Sequence, residues 1–186
     1  IGYDLYIEML HEAISEISGQ EIPEVSDTQI DLPINAFIPA TWILNREEKL
    51  EAYKSATECT NNDELTELAI DWVNRYGNLP KPVESLILIM RLKLLSKRCG
   101  FNKIKLQKPN IVIETKLKKS TFKILKNSLP NNVQNKFNFD EREQWSYITI
   151  RGLGATEIQN QLDQLMNWFG AFIKEINNFE RDLLVK

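Results

Sequence analysis

The residues best placed to do chemistry are three polar side chains on one predicted helix, Asp71, Asn74 and Arg75. Asp71 precedes Asn74 by three positions and Arg75 by four, a spacing that brings side chains together on a helix. A carboxylate, an amide and a guanidinium in this arrangement could bind a charged partner surface through charge-assisted hydrogen bonds. Alternatively, Asp71 and Arg75 could pair along their own helix, where such a pair stabilises by only a few tenths of a kcal/mol.

A second candidate set is the basic middle of the chain. The net charge of −3 conceals a segregation, because residues 1–90 hold 17 acidic and 5 basic side chains, whereas residues 91–126 hold 12 basic ones opposed only by Glu114. Clustered lysine and arginine could contact the phosphates of a nucleic acid. The segment contains only Phe101 and Phe122 as aromatic residues, which is no recognisable stacking platform. Contact with a protein, or neutralisation of the acidic residues 1–90, remains as an alternative. The basic side chains are Arg91, Lys93, Lys97, Arg98, Lys103, Lys105, Lys108, Lys116, Lys118, Lys119, Lys123 and Lys126.

Motifs for catalysis are absent from this sequence. It contains neither GxxxxGK[ST] nor GxGxxG, so a glycine-rich phosphate loop is not expected. His11 is the single histidine, and Cys59 and Cys99 have no metal-ligand spacing, so we expect two reduced thiols and no metal site. Gly152-Leu153-Gly154 precedes a helix, and we interpret it as a turn rather than an anion cradle. We therefore expect no catalytic residue, cofactor or metal in this chain.

The elements that position Asp71, Asn74 and Arg75 are predicted to be helical. Helices are expected over Arg46–Cys59, 62–76 and 83–99, the second capped by Asn61 with Glu64 and ended by Gly77. The bend at 77–82 makes an antiparallel helical hairpin, with Trp72, Val73 and Tyr76 expected in its core. An amphipathic helix ending near Gly19 is predicted before it, and a short edge strand around Ile30–Ile34.

From Phe101 onward the hydrophobic period changes to that of strands. Two strands flank a tight turn at Lys108-Pro109-Asn110, Ser120 is expected to cap a helix to about Leu129, and residues 136–139 and 145–150 alternate again. One long helix is predicted over Ala155–Val185. The fold class is therefore α+β, with a helical hairpin, a small antiparallel sheet with a crossing helix, and a long C-terminal helix.

Two stretches are specific enough to suggest a family. Residues 1–14 resemble the helix GF-x-LY-xx-LL-xx-AV that follows the motor in bacterial transcription-repair coupling factors and in RecG helicases. Residues 71–86, which read DWVNRYGNLPKPVESL, are similar to ELIDRFG-x-LP-x-PV-x-xL, which selects the coupling factors, the Mfd family. The resemblance is clear over residues 1–100 and only architectural from Phe101 to Lys186.

The resemblance implies a regulatory domain in a DNA-repair translocase. Such a domain folds onto the N-terminal UvrB-like module, masks the surface that recruits UvrA, and represses ATP-driven translocation until RNA polymerase is engaged. The inhibitory contact would fall on Asp71, Asn74 and Arg75. Asn74 departs from the family pattern, which has an acid there, so the contact is expected to be weaker or shifted toward Asp71.

The resemblance also divides the chain into a helix after the translocase motor (1–19), a linker (20–28) and a C-terminal regulatory α+β domain (29–186). ATP and magnesium would belong to the parent motor, which would also make the contact with DNA. No segment has the composition of a signal peptide or a membrane span, and we expect a cytoplasmic protein. The alternative function is a nucleic-acid-binding accessory domain that uses residues 91–126.

Overall fold

The computed structural model describes Gly2, Leu5, Tyr6 and residues 21–185. In it, capping residues set the ends of the first helices. Helix α1 spans Arg46–Glu58, α2 Asn62–Tyr76 and α3 Lys81–Arg98. The Asn61 side chain accepts a hydrogen bond from the Glu64 backbone N–H at 2.9 Å, and Gly77 ends α2 with a φ of 92°. The predicted helical hairpin is confirmed. The predicted N-terminal helix lies outside the described residues, apart from those three positions.

The second part of the chain forms a five-stranded sheet with three more helices. The strands are β1 (Gln29–Asp31), β2 (Phe101–Gln107), β3 (Asn110–Thr115), β4 (Phe137–Glu141) and β5 (Ser146–Ile150). The helices are α4 (Lys119–Lys126), the short α5 (Asn131–Gln134) and α6 (Ile158–Val185), and a 3-10 turn covers Leu153–Ala155. The α+β fold class is confirmed.

The sheet order is β1-β2-β3-β5-β4. The four predicted strands β2 to β5 pair antiparallel, as expected. The edge strand β1 joins β2 in parallel, with Ile30 opposite Ile104, which makes the sheet mixed. Residues 21–28 before β1 have no helix or strand, yet Thr28 is buried and donates from Oγ1 to the Phe101 carbonyl at 2.7 Å.

One face of the sheet carries the main core, which we call the sheet core. Alternating residues of β2, β3 and β5 turn toward α3, α4 and α6, as expected for strands with a side-chain period of two. Phe101, Phe169 and Phe172 pack there with ring centroids 5.0 to 6.3 Å apart. The buried isoleucines of the sheet in this core are Ile104, Ile111, Ile113, Ile148 and Ile150.

A second cluster, the helical cluster, lies among α1, α2 and the N-terminal half of α3. It contains Ile38, Ile43, Ala52, Ala56, Trp72, Val83, Leu86 and Ile87. Helix α3 contributes to both cores, because Ile89 and Leu92 further along it belong to the sheet core. Packing on both cores therefore fixes α3, and α2 is held against it.

Three predicted details were wrong. Ser120 does not cap α4, because that helix begins at Lys119 after Lys118 and has no side-chain cap. The same helix ends at Lys126 rather than near Leu129. The long helix begins at Ile158, three residues after Ala155, because the 3-10 turn occupies Leu153–Ala155. Packing of Phe122 and Leu125 into the sheet core, rather than a cap, determines where α4 lies.

Candidate functional site

Helix α2 has one anchored side and one exposed side. Leu65 and Trp72 are each only 1% exposed and fix the rotation of the helix against its neighbours. Trp42 packs on Trp72 and Tyr76 with edge-on geometry, at centroid distances of 6.1 Å and 5.4 Å. Because large aromatic rings adopt few positions in a packed cluster, the opposite side of α2 is presented in a defined orientation.

The exposed side carries the candidate residues. Glu67, Ile70, Asp71 and Asn74 follow the spacing i, i+3, i+4 and i+7, so they form one stripe along α2, which we call the α2 contact surface. Ile70 is 57% exposed and is flanked by these polar side chains. A large apolar side chain within a polar stripe is the composition of a protein-binding surface, in which an apolar anchor is surrounded by polar contacts.

Asp71 and Arg75 form an ion pair on this helix. Arg75 Nη1 lies 3.5 Å from Asp71 Oδ2, and both side chains are more than half exposed, at 55% and 54%. The Arg75 guanidinium also lies 5.1 Å from the centroid of the Tyr76 ring. The pairing along the helix that the sequence left as an alternative is therefore present. An exposed pair of this kind contributes little to stability, so either group can turn to a partner at small cost.

Asn74 is exposed beside this pair, and the structure brings all three predicted residues to one side of α2. The prediction that Trp72 lies in the core of the hairpin is confirmed, and Tyr76 packs against the helical cluster. The prediction for Val73 was wrong, because its side chain is 37% exposed at the margin of the contact surface. Sequence reasoning also missed Ile70, although its spacing from Glu67 and Asn74 places it in the polar stripe.

The basic segment is divided by the fold. Four of its residues bind partners on other elements of the fold. Arg91 donates to Asn62 and Thr66 on α2. Lys93 lies 3.8 Å from Asp27, Arg98 lies 2.7 Å from Glu180, and Lys105 lies 3.5 Å from Glu114. Carboxylates therefore neutralise Lys93, Arg98 and Lys105, whereas Arg91 bonds neutral side chains. Of these carboxylates, Asp27 alone belongs to the acidic residues 1–90, so the predicted neutralisation of that half is realised for Lys93.

The remaining basic side chains differ in exposure. Lys103 on β2 and Lys126 on α4 are half-buried, whereas Lys97 near the end of α3 and Lys108 in the β2–β3 turn are exposed. Lys116, Lys118, Lys119 and Lys123 are all exposed on α4 and the connection before it, and we call these four the lysine surface. The Lys116 ammonium lies 5.0 Å from the centroid of the Trp145 ring.

No arrangement for catalysis is found in the part of the chain that the structure describes. Within it, no three His, Cys, Asp or Glu side chains form a group that could hold a metal. Cys59 and Cys99 are free thiols, and burial raises the pKa of both, which disfavours the reactive thiolate. His11, the single histidine, lies outside the described residues.

Among the described helices, none combines the length and the apolar composition needed to cross a lipid bilayer. The Gly152-Leu153-Gly154 stretch is a turn, as predicted, with Gly152 in the left-handed region at a φ of 80°. Gly154 packs against the backbone of Asn110, and a side chain at this position would collide with that backbone. This contact explains why the position holds a glycine.

Comparison with known proteins agrees with the fold. The family model of the TRCF domain matches residues 32–124, which is half of this chain. The transcription-repair-coupling factor of Bacillus subtilis (strain 168) is 35% identical over 99 residues, covering 53% of this chain and 8% of that protein. The protein of the same name from Staphylococcus haemolyticus (strain JCSC1435) is 30% identical over 107 residues, covering 56% of this chain and 9% of that protein. The similarity thus spans less than a tenth of these relatives.

A solved structure shows the same fold. The crystal structure of the C-terminal domain of transcription-repair coupling factor superposes with a TM-score of 0.65 and covers 82% of this chain and 95% of that one. The sequence identity is 18%, so this similarity establishes the architecture alone. Since it covers 82% of this chain, it extends beyond the half that the family model matches.

Proposed function

Because this chain belongs to the TRCF domain family, we propose that it is an autoregulatory interaction domain of a transcription-coupled DNA-repair translocase. In this proposal the domain folds onto the N-terminal UvrB-like module of the same protein. It masks the surface that binds UvrA and represses ATP-driven DNA translocation until RNA polymerase is engaged. The α2 contact surface makes the contact, and the domain has no active site of its own.

The observation that carries this proposal is the exposure of Ile70 and Asp71 side by side on a helix whose other side is anchored. Apolar side chains exposed to 57% are unfavourable in water, and burying Ile70 against a partner would remove that cost. Asp71 and Asn74 follow it along the helix and can accept hydrogen bonds from a basic partner. The surface thus combines an apolar anchor with directional polar contacts.

Charge determines which side chain should dominate the contact. Asp71 is a carboxylate and can form a bidentate pair with a partner arginine, whereas Asn74 can offer only a neutral hydrogen bond, which is about half as strong. Since the Asp71–Arg75 pair is exposed at 3.5 Å, breaking it on docking costs little. A partner that shields Asp71 from water would strengthen the new ion pair. We therefore assign the larger share of the binding to Asp71 and Ile70.

The proposal extends to the rest of the parent protein. ATP and magnesium are bound by the motor of that protein, and DNA is bound through the motor. UvrA and RNA polymerase act on this domain indirectly, by exchange of the contact with the UvrB-like module. The protein works in the cytoplasm, where its nucleic-acid and protein partners are found.

The direct test measures binding of the purified 186-residue chain to the separately purified UvrB-like module of the same protein, by isothermal titration calorimetry. Asp71→Arg should abolish saturable binding, because it replaces an acceptor with a like charge toward a basic partner. Glu143→Arg is the matched control, since it makes the same charge reversal at an exposed position between β4 and β5. Binding that survives Asp71→Arg, or that is lost equally in the control, would contradict the proposal.

A second readout uses the parent protein. Asp71→Arg in the full-length protein should raise its basal ATPase activity and its affinity for UvrA together, because both are held low by the same contact. Glu143→Arg should change neither quantity. Unchanged ATPase activity and unchanged UvrA affinity in the Asp71→Arg protein would show that α2 does not restrain the motor.

A further inference from the structure

The lysine surface keeps its positive charge, unlike Lys93, Arg98 and Lys105, which form ion pairs with carboxylates. Among the described residues, no carboxylate lies within 4.0 Å of an ammonium group of Lys116, Lys118, Lys119 or Lys123. A shallow depression of about 440 Å³ is lined by Lys118, Lys119, Ser120, Lys123 and Glu141. Glu141 is thus the one carboxylate of that lining, against three lysines. The surface has a local excess of positive charge.

The core holds this surface in place. Thr121, Phe122 and Leu125 on the opposite side of α4 are buried, and Phe122 contacts Phe137, Phe139 and Phe172 with ring centroids 5.5 to 6.1 Å apart. Lys119 and Lys123 are one helical turn apart, which is about 6 Å along the axis. Lys119 and Lys123 therefore project from a rigid helix in a fixed order, and Lys116 and Lys118 lie on the connection directly before it.

The chemistry of this surface fits a phosphate backbone better than a protein. Protein interfaces depend on apolar and aromatic anchors and are poor in lysine. The large apolar side chains that are exposed in the described residues lie at positions 5, 6, 37, 44, 50, 70, 73, 183 and 184, so none lies on α4. Binding to nucleic-acid phosphates needs no apolar anchor, only clustered cations that displace counterions.

We propose that the lysine surface of α4 binds the phosphate backbone of a nucleic acid without reading its sequence. Each duplex strand presents one phosphate per about 3.4 Å of helix axis, so side chains spaced by one helical turn can reach different phosphates of one strand. The α4 site shares no residue with the α2 contact surface, and the inference goes beyond the proposed function. The proposal uses four of the twelve basic side chains of residues 91–126. Four others, Arg91, Lys93, Arg98 and Lys105, are engaged within the chain.

The test measures fluorescence anisotropy of a fluorescein-labelled DNA duplex of about 20 base pairs with the 186-residue chain, between about 50 and 200 mM salt. Replacing Lys119 and Lys123 together by glutamine should lower the slope of log K against log salt by about 2, roughly one per lost phosphate contact. Two duplexes of unrelated sequence should bind equally well. Lys54→Gln with Lys174→Gln is the matched control, since both lysines are exposed on α1 and α6.

Further variants distinguish charge from folding and from the other proposed contact. Lys119→Arg with Lys123→Arg preserves the charge and should keep both affinity and slope. Asp71→Arg should not weaken DNA binding. The α2 contact, which is tested by binding to the UvrB-like module, and the lysine surface, which is tested by binding to DNA, can therefore fail independently. The inference is overturned by no binding at low salt, by an unchanged slope in the glutamine pair, or by polyglutamate competing for the chain as tightly as DNA. The last result would assign the surface to an acidic protein.

Discussion

Ile70 and Trp72 lie two residues apart on α2 and face opposite environments. Trp72 is 1% exposed within the helical cluster, whereas Ile70 is 57% exposed on the α2 contact surface. Side chains two residues apart on a helix point in directions that differ by roughly 200°. Two nearby apolar side chains of one helix can therefore have separate roles, one in packing and the other in recognition. The two residues should therefore respond to mutation in opposite ways.

Ile70→Ser should weaken binding to the UvrB-like module by roughly tenfold while changing the free energy of unfolding by less than about 0.5 kcal/mol. Trp72→Ala should instead lower the free energy of unfolding by about 3 to 5 kcal/mol, because it leaves a cavity in a packed cluster. Calorimetric titration and urea unfolding measure the two quantities. Leu44→Ser is the control for binding, because Leu44 is 85% exposed and lies before α1. Equal weakening by both serine variants would rule out Ile70 as a specific anchor.

Asp71→Ala should leave stability nearly unchanged. The ion pair that it removes is exposed, and such pairs on helices contribute about 0.3 to 0.5 kcal/mol. Urea unfolding of the chain and of this variant provides the comparison, with Asn61→Ala as the reference for a residue that does stabilise α2. Loss of the Asn61 cap should cost about 1 kcal/mol. A larger loss from Asp71→Ala than from Asn61→Ala would mean that Asp71 has a structural role.

Gly154→Ala should lower the free energy of unfolding by about 1 to 3 kcal/mol. A Cβ at this position would lie 2.4 Å from the Asn110 backbone oxygen and 2.7 Å from Leu106 Cδ1, so the 3-10 turn or the β2–β3 turn must move. Thermal unfolding followed by circular dichroism measures the effect. Ala155→Ser, at the next and exposed position of the turn, serves as the control. An unchanged melting temperature for Gly154→Ala would show that this contact is not tight in solution.

Alkaline pH should destabilise the fold through Cys99. Its side chain is 0% exposed, and burial raises the pKa of the Cys99 thiol far above its ordinary value of 9.0. Above pH 9 the unfolded chain therefore releases this proton while the folded chain retains it, and deprotonation favours unfolding. The stability that this thiol contributes is fully present below that pH and is lost as the pH rises.

Urea unfolding at about pH 8 and about pH 10 tests this, with an expected loss of about 1 kcal/mol attributable to Cys99. Cys99→Ala should show a smaller loss over the same interval, even though its stability at the lower pH is reduced by the missing side chain. Cys59→Ala, at a half-buried position, should lose an amount of unfolding free energy between the two pH values that is closer to the loss in the unmodified chain. A pH dependence that is the same with and without Cys99 would contradict the assignment.

Local interactions explain why some elements were predicted with accurate ends. Helix α2 runs from Asn62 to Tyr76 as predicted, because the Asn61 side chain and Gly77 act on residues within one turn of themselves. Where no such signal exists, prediction failed. Helix α4 begins at Lys119 without a side-chain cap, so nothing local distinguishes its first residue from Ser120.

The sequence by itself determined the α+β class, the helical hairpin, four strands of the sheet and the proximity of Asp71, Asn74 and Arg75 on one helix, because these follow from short-range periodicity and capping. Tertiary structure decided the parallel pairing of β1 with β2, the exposure of Ile70 and Val73, and the division of the basic segment. Arg98 illustrates the reason, since its partner Glu180 is 82 residues away. Whether a charge is neutralised or free depends on which distant elements pack together, and a period of two or 3.6 residues carries no information about that choice.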